Sequence, residues 1–142
     1  MIEKYLAEWL KDHGSVAPEI KGVYAVTAPQ SRSYPCLVYS QDDFSNESKV
    51  ETANNELARE EVEVMVLGKE IADVDRVGRI LEKTPIHGFR GDMKGAWIQK
   101  LAVRQDNPEE GNREQSGDEQ PLIERRYVFT LIYQTQDVPA LT

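Results

Sequence analysis

The sequence feature that most constrains the fold is the alternation of residues 58–67. Every second position from residue 62 to residue 66 is a valine, and Arg59, Glu61 and Glu63 lie on the opposite face. This period of two is typical of a β-strand that has one face in a core and the other in solvent. Residues 122–133 form a second long strand, on which one face carries Tyr127, Phe129, Leu131 and Tyr133.

Two other segments have the period of an amphipathic helix. Near the start of the chain, five apolar residues recur at helical spacing before Gly14, which is well placed to end the helix: Ile2, Tyr5, Leu6, Trp9 and Leu10. Residues 69–83 form the second helix, with Gly78 inside its apolar stripe. A glycine costs a helix about 1 kcal/mol relative to alanine, so we expect close packing against the sheet at this position.

Three shorter segments complete the predicted elements. Residues 22–26, 35–40 and 96–104 are strands, and the glycine-rich residues 88–95 form a turn region. The order is therefore helix, strand, strand, strand, helix, strand, strand. Because the strands come mostly in pairs, the pattern predicts a single α+β domain over residues 1–142. Its sheet is mainly antiparallel and packs with two α-helices.

The last strand is apolar on its second face as well, where Val128 and Ile132 lie. Apolar residues on this face must be shielded from water, either by a helix or by a neighbouring subunit. We therefore consider Val128 and Ile132 candidate subunit-interface residues.

The net charge of −8 belongs to two segments, 41–57 and 105–121. The first has five acids against one lysine, a balance of −4, and the second has six acids against one arginine, a balance of −5. We expect both to be long acidic loops, and loops of this length are often functional. Their acids are candidate lumen or docking residues: Asp42, Asp43, Glu47, Glu51, Glu56, Asp106, Glu109, Glu110, Glu114, Asp118 and Glu119.

The sequence offers no recognisable catalytic, metal or cofactor motif. His13 and His87 have no metal-ligand spacing to other ligand types, and His13 falls at a helix end, where an imidazolium is mildly stabilised. Phosphate-binding and dinucleotide-binding loops are missing, and no serine sits in a nucleophile elbow. Cys36 is the single cysteine and is expected to be a packed thiol. We therefore expect a protein without enzymatic activity, bound metal or cofactor.

Charge and hydropathy also bear on location and partners. The acidic segments would repel phosphate, which disfavours binding of nucleic acid by charge neutralisation. No apolar run approaches the roughly 20 residues of a membrane span, and the opening residues do not form a secretory leader. We expect a cytosol-like compartment unless the chain joins a larger particle.

In order, these motifs resemble the tail terminator, or tail completion (minor tail), proteins of long-tailed bacteriophages. The resemblance begins with the amphipathic opening helix and the strand at Gly22, Val23 and Tyr24. It continues through the turn at residues 28–30 and the strand at residues 34–39. Later it includes the alternating residues 62–66, the helix at residues 71–81 and the closing strand at residues 125–129. It spans nearly the whole chain, and the acidic segment before the last strand is longer than in that family.

The resemblance implies a structural virion protein. Such proteins form a ring, usually a hexamer, on the head-proximal end of the tail tube, where the ring stops tube growth and presents a surface for head joining. The implied partners are further copies of the chain, the tail tube protein and a head-completion or connector protein. Genomic DNA passes through the lumen without specific binding. The host cytoplasm is the implied location before assembly.

Other functions stay open at this stage. The chain could be another ring of the neck or tail, such as a head-completion or tube protein, or a cytosolic α+β ligand-binding or regulatory domain. The acidic loops could border a lumen and repel DNA, or they could dock on a basic surface of a partner ring.

Overall fold

The computed structural model describes residues 2–26, 33–40, 50–52, 55–106, 112–113 and 122–139. Within them lie two helices, α1 (Ile2–Asp12) and α2 (Ile71–Leu81), and short 3₁₀ turns at Ala17–Glu19 and Thr135–Asp137. The strands are β1 (Val23–Ala25), β2 (Cys36–Tyr39), β3 (Val50–Thr52), β4 (Asn55–Gly68), β5 (Gly91–Met93), β6 (Ala96–Ile98), β7 (Lys100–Asp106), β8 (Asn112–Arg113) and β9 (Leu122–Gln134). No helix in these ranges has the length and apolarity needed to cross a membrane.

The sheet is organised around its two longest strands. β4 and β9 are antiparallel neighbours over their whole shared length, from Leu57 opposite Gln134 to Gly68 opposite Ile123. The strand order is β1-β2-β4-β9-β7, while β3 adds to the beginning of β4 and β8 adds to the beginning of β9. β1 runs parallel to β2, and the other pairs in this sheet are antiparallel.

Both helices cover the same face of the sheet. The apolar stripe of α1 and the buried α2 residues Val74, Val77 and Leu81 pack on Val62, Val64 and their neighbours. The alternation that predicted these strands thus has a physical cause. Valines at even positions of β4 lie in a dry core, and the charged odd positions lie on the face without helices.

Close packing at Gly78 is confirmed. A Cβ added to Gly78 would lie 2.9 Å from Cζ of Tyr127, on β9. Only a glycine lets α2 approach the sheet this closely, which offsets its poor helix propensity.

A hairpin that periodicity did not predict joins β5 and β6. Met93 pairs with Ala96, so Lys94 and Gly95 form a two-residue loop. Both have positive φ, 54° and 106°, as a type I′ turn requires. The Lys94 ammonium lies 2.8 Å from a carboxylate oxygen of Asp12, which ties the hairpin to the end of α1.

The α+β class and the mainly antiparallel sheet are confirmed, and the boundaries differ in detail. The second helix is shorter than residues 69–83, and the strand predicted at residues 96–104 is interrupted at Gln99. The predicted acidic loops, residues 41–57 and 105–121, include residues that belong to strands. Val50–Thr52 pairs with the beginning of β4, Gln105 and Asp106 continue β7, and Asn112–Arg113 pairs with β9.

Candidate interaction surfaces

The face of the sheet away from the helices carries both candidate interface residues. Val128 lies between Glu63 and Arg104 on the neighbouring strands, and Ile132 lies between Arg59 and Lys100. Val128 is buried and Ile132 is partly exposed. No helix in the described ranges covers either residue, since α1 and α2 pack on the opposite face.

Charged side chains around these two residues form a shared network. Glu61 Oε2 lies 3.0 Å from Nη2 of Arg59 and 4.0 Å from Nη2 of Arg104. About half of each arginine side chain is exposed, so water screens these pairs and each contributes little to stability. The outer face is therefore a polar surface with a narrow apolar centre, similar in composition to the rim and core of a protein interface.

A small apolar cluster closes one end of the same face. Cys36, Val38 and Leu67 are buried there, with Tyr24, Tyr34 and Met65 packed around them. The ammonium of Lys69 lies 5.5 Å from the ring centroid of Tyr34. The predicted packed thiol at Cys36 is confirmed, because this cysteine is fully buried.

Three of the eleven candidate acids fall on described strands. Glu51 of β3 is directly opposite Glu56 of β4, and Asp106 at the end of β7 is opposite Arg126. The other candidates lie outside the described residues: Asp42, Asp43, Glu47, Glu109, Glu110, Glu114, Asp118 and Glu119.

A basic groove runs along the exposed side of α2. Its floor and walls come from α2, the turn after it and Ser15, and its cavity volume is about 320 Å³. Arg76 and Arg79 line it from one side of α2, three residues apart, and Lys83 lines it from the turn after the helix. We use the name basic groove for these three residues with Ser15, Ile80, Thr84 and Pro85.

Only one of the three cations in the groove forms ion pairs with carboxylates of the described residues. Nε of Arg76 lies 2.7 Å from Glu19, and its Nη1 lies 3.0 Å from Asp73. These two contacts hold Arg76 across the gap between α2 and the turn at Ala17–Glu19. Arg79 and Lys83 are exposed and form no ion pair with any described residue.

A buried carboxylate on the helix side of the sheet was missed by the sequence analysis. Glu60 is 8% exposed and accepts a hydrogen bond from the hydroxyl of Tyr133. Burial, together with the Glu60 carboxylate, raises the pKa of Tyr133. The signal was present, because Glu60 shares the face of Val62 and Val64, where a charged side chain must be buried.

Each of the two histidines accepts a hydrogen bond from a backbone amide. Nδ1 of His13 accepts a hydrogen bond from the Ser15 amide at 3.1 Å, and Nδ1 of His87 accepts one from the Val103 amide at 2.9 Å. Burial lowers the pKa of His13, because desolvation favours the neutral ring and so opposes the stabilisation of the imidazolium expected at a helix end. In the part of the chain that the structure describes, no three potential ligands come together to hold a metal ion.

The described residues thus form an α+β fold with a polar sheet face around Val128 and Ile132 and a basic groove beside α2. The fold is similar to that of a chain in a solved structure of the virion of a native gene transfer agent particle. The two chains are 12% identical with a TM-score of 0.61, and the match covers 92% of this chain and 93% of the other. No protein-family model matches the sequence. No curated protein matches it either.

Proposed function

We propose that this chain is a non-enzymatic structural protein of a tailed, phage-like particle, and that its role is that of a tail terminator. One observation carries the proposal. The fold follows that of a gene transfer agent virion chain over more than nine-tenths of both chains. A match of this extent includes the helices and the sheet together, and the order of motifs in the sequence independently resembles tail terminators.

In this role the chain forms a closed ring, a hexamer by family resemblance, on the head-proximal end of the tail tube. The ring stops tube polymerisation, and its free side joins the head-completion or connector protein. A ring built from one chain uses two different patches of each subunit, because head-to-tail contacts repeat around the axis. The outer face around Val128 and Ile132 is suited to one of these patches, since its apolar centre is flanked by charge.

The acidic segments then have one of two uses. If they border the lumen, they repel DNA and let it slide during ejection, the reverse of binding by counterion release. If they dock, they bind a basic surface of another subunit or ring. Two variants separate these uses, one with the acids of residues 42–56 neutralised and one with the acids of residues 109–119 neutralised. If both variants still give infectious particles with normal ejection, neither use is correct.

Loss of the gene tests the terminator role directly. In the particle that carries this chain, deletion should give overlong or headless tails, measured by negative-stain electron microscopy. Complementation with the wild-type chain should restore a single tail length. Tails of normal length that merely lack heads would assign the chain to another component of the neck.

Solution behaviour distinguishes a terminator from a tube protein. Size-exclusion chromatography with light scattering should show monomers and one discrete ring, whereas a tube protein should form filaments without a template. A cytosolic ligand-binding domain would have an enclosed apolar pocket, but the groove beside α2 is lined by three cations. This lining favours an acidic partner over an apolar small molecule.

A further inference from the structure

We propose that the basic groove of α2 is a docking site for residues 41–56 of a second copy of this chain. The contact would be one of the head-to-tail contacts of the ring, so it rests on the ring in the proposed function. Nothing in the resemblance or in the structural comparison assigns a role to the groove.

The first support is unbalanced charge on the groove. Arg76 is held by Glu19 and Asp73, whereas Arg79 and Lys83 are exposed without an ionic partner among the described residues. Two other carboxylates lie near these cations. Asp75 forms an ion pair with Arg125 of the sheet, and Glu82 is the residue that follows the last turn of α2. Two exposed cations without an ionic partner in the described ranges, beside an anchored arginine, form a surface that attracts a short acidic segment.

The second support is unbalanced charge of the opposite sign on the segment. Residues 41–57 have a balance of −4, and the pairing of β3 with β4 puts Glu51 directly opposite Glu56. Like charges at opposite positions of an antiparallel pair destabilise it. Cations from a neighbouring subunit would offset the net negative charge of this segment.

The third support is the distance between the two features within one subunit. Gly78, in the middle of α2, packs on Tyr127, which is opposite Val64. Val64 is eight residues along β4 from Glu56, about 26 Å at roughly 3.3 Å per residue. One chain thus carries the hairpin at the beginning of β4, whereas the middle of α2 packs near Val64, in the second half of β4. Two complementary patches far apart on one subunit are what a head-to-tail ring contact requires.

The second acidic segment is a poorer occupant for a neighbour's groove. Residues 105–121 connect the end of β7 at Asp106, opposite Arg126, with the beginning of β9 at Leu122, and Asn112–Arg113 within this segment pairs with β9. Both points are at the end of the sheet where β4 leads into α2. Asp106 is thus at the opposite end of the sheet from the β3–β4 hairpin, whereas the proposed contact uses acids at the hairpin end.

Chemical cross-linking of the wild-type chain tests the contact without relying on variants. Light and nitrogen-15 chains are mixed at a concentration that forms the ring, and a carbodiimide then joins lysines to nearby carboxylates. Mass spectrometry should find Lys83 linked to Glu47, Glu51 or Glu56, with one light and one heavy peptide in the same product. Links from Lys83 that always join peptides of one label would show docking within a subunit and overturn the proposal.

Charge reversal provides the second test. Arg79→Glu with Lys83→Glu should raise the concentration for half-maximal assembly about tenfold or more. The matched control is Lys4→Glu with Lys11→Glu, which makes the same change in net charge on exposed positions of α1 and should have a much smaller effect. Adding Glu47→Lys, Glu51→Lys and Glu56→Lys to the groove variant should restore assembly, because both sides of the contact are then reversed. Circular dichroism checks that each variant is folded.

The possible failures separate the two proposals. If a ring forms and the groove and control variants assemble alike, the groove contact is wrong and the ring stands. A chain that stays monomeric at every concentration and salt also overturns the contact. Failure of the terminator role would instead appear as normal tail length in particles that lack the chain.

Discussion

Gly78 on α2 and Tyr127 on β9 are in direct contact, and the phenol ring occupies the space that a side chain at residue 78 would need. Tyr127 is 4% exposed, so its ring has no open direction in which to move. This contact sets how closely the second helix lies on the sheet.

Replacement of Gly78 by alanine should therefore destabilise the protein, although alanine is the better helix former by about 1 kcal/mol. We expect the free energy of unfolding to fall by about 1–3 kcal/mol, the usual cost of overpacking a core. Urea denaturation followed by circular dichroism measures the change.

The control for this prediction removes the atom nearest to the new methyl group. In a Tyr127→Phe background, the same alanine should cost less, since the Tyr127 hydroxyl is the closest atom to the added Cβ. Equal costs in both backgrounds would show that α2 simply shifts away from the sheet.

The tyrosine has a second measurable property. Burial, with the nearby Glu82 carboxylate, raises the pKa of Tyr127 to about 12. The neutral phenol is favoured in the folded state, so its contribution to stability is complete below pH 10, the ordinary pKa of tyrosine. It is lost as the pH rises from 10 through about 12. Unfolding midpoints across this window should fall more steeply for the wild-type chain than for Tyr127→Phe.

Removal of the Tyr133 hydroxyl tests the buried hydrogen bond to Glu60. Tyr133→Phe takes a donor away from a carboxylate that is 8% exposed, and we expect a loss of about 1.5–3 kcal/mol. The double variant Glu60→Leu, Tyr133→Phe should be more stable than Tyr133→Phe alone, because both polar partners are then gone. A double variant that is the less stable of the two would mean that Glu60 contributes mainly through its other contacts.

The pKa of His13 offers a test at mildly acidic pH. Burial lowers its pKa below the ordinary value of 6.5, so protonation favours the unfolded chain. Stability is therefore complete above pH 6.5 and falls as the pH drops through the lowered pKa of the folded state. Nuclear magnetic resonance titration of the His13 ring should give this lower value, and His13→Gln should flatten the fall in unfolding free energy. A midpoint above 6.5 would restore the helix-end interpretation.

Val128 and Ile132 should respond differently to the same substitution. Val128→Glu puts a charge at a buried position and should cost about 3 kcal/mol or more. Ile132→Glu lies between Arg59 and Lys100, so the fold should tolerate it within about 1 kcal/mol. If Ile132 belongs to the ring interface, the second variant should nevertheless lose assembly in light-scattering measurements. An Ile132→Glu chain that assembles normally removes this residue from the interface.

The long helices and strands could be predicted from the sequence because the apolar pattern of each repeats several times. β4 and β9 alternate over many residues, and α1 and α2 have apolar stripes of several turns. The short strands are different. β5 is three residues long and depends on a turn in which Lys94 takes a positive φ, and lysine gives no sequence signal for that conformation.

The candidate interaction surfaces were harder to predict from the sequence than the fold was. The groove requires residues from α2 and Ser15 to meet, and Ser15 is more than 60 positions away along the chain. Alternation identified Val128 and Ile132, but their charged neighbours come from two other strands, and this depends on register. Glu60 could have been found, since it breaks the apolar face of β4 and only a buried partner makes that tolerable.

The pairing of β4 with β9 has a consequence for how the molecule forms during synthesis. The last strand in the sequence, β9, lies inside the sheet between β4 and β7, and its pairing with β4 joins residues as far apart as Leu57 and Gln134. Because such distant segments pair slowly and only after a large loop closes, the edge of β4 that will pair with β9, including the backbone of its valines, stays unpaired until β9 has been made. A strand waiting in this state is open to pairing with other nascent chains. The charged residues that alternate with those valines would then help to keep the unfinished protein in solution.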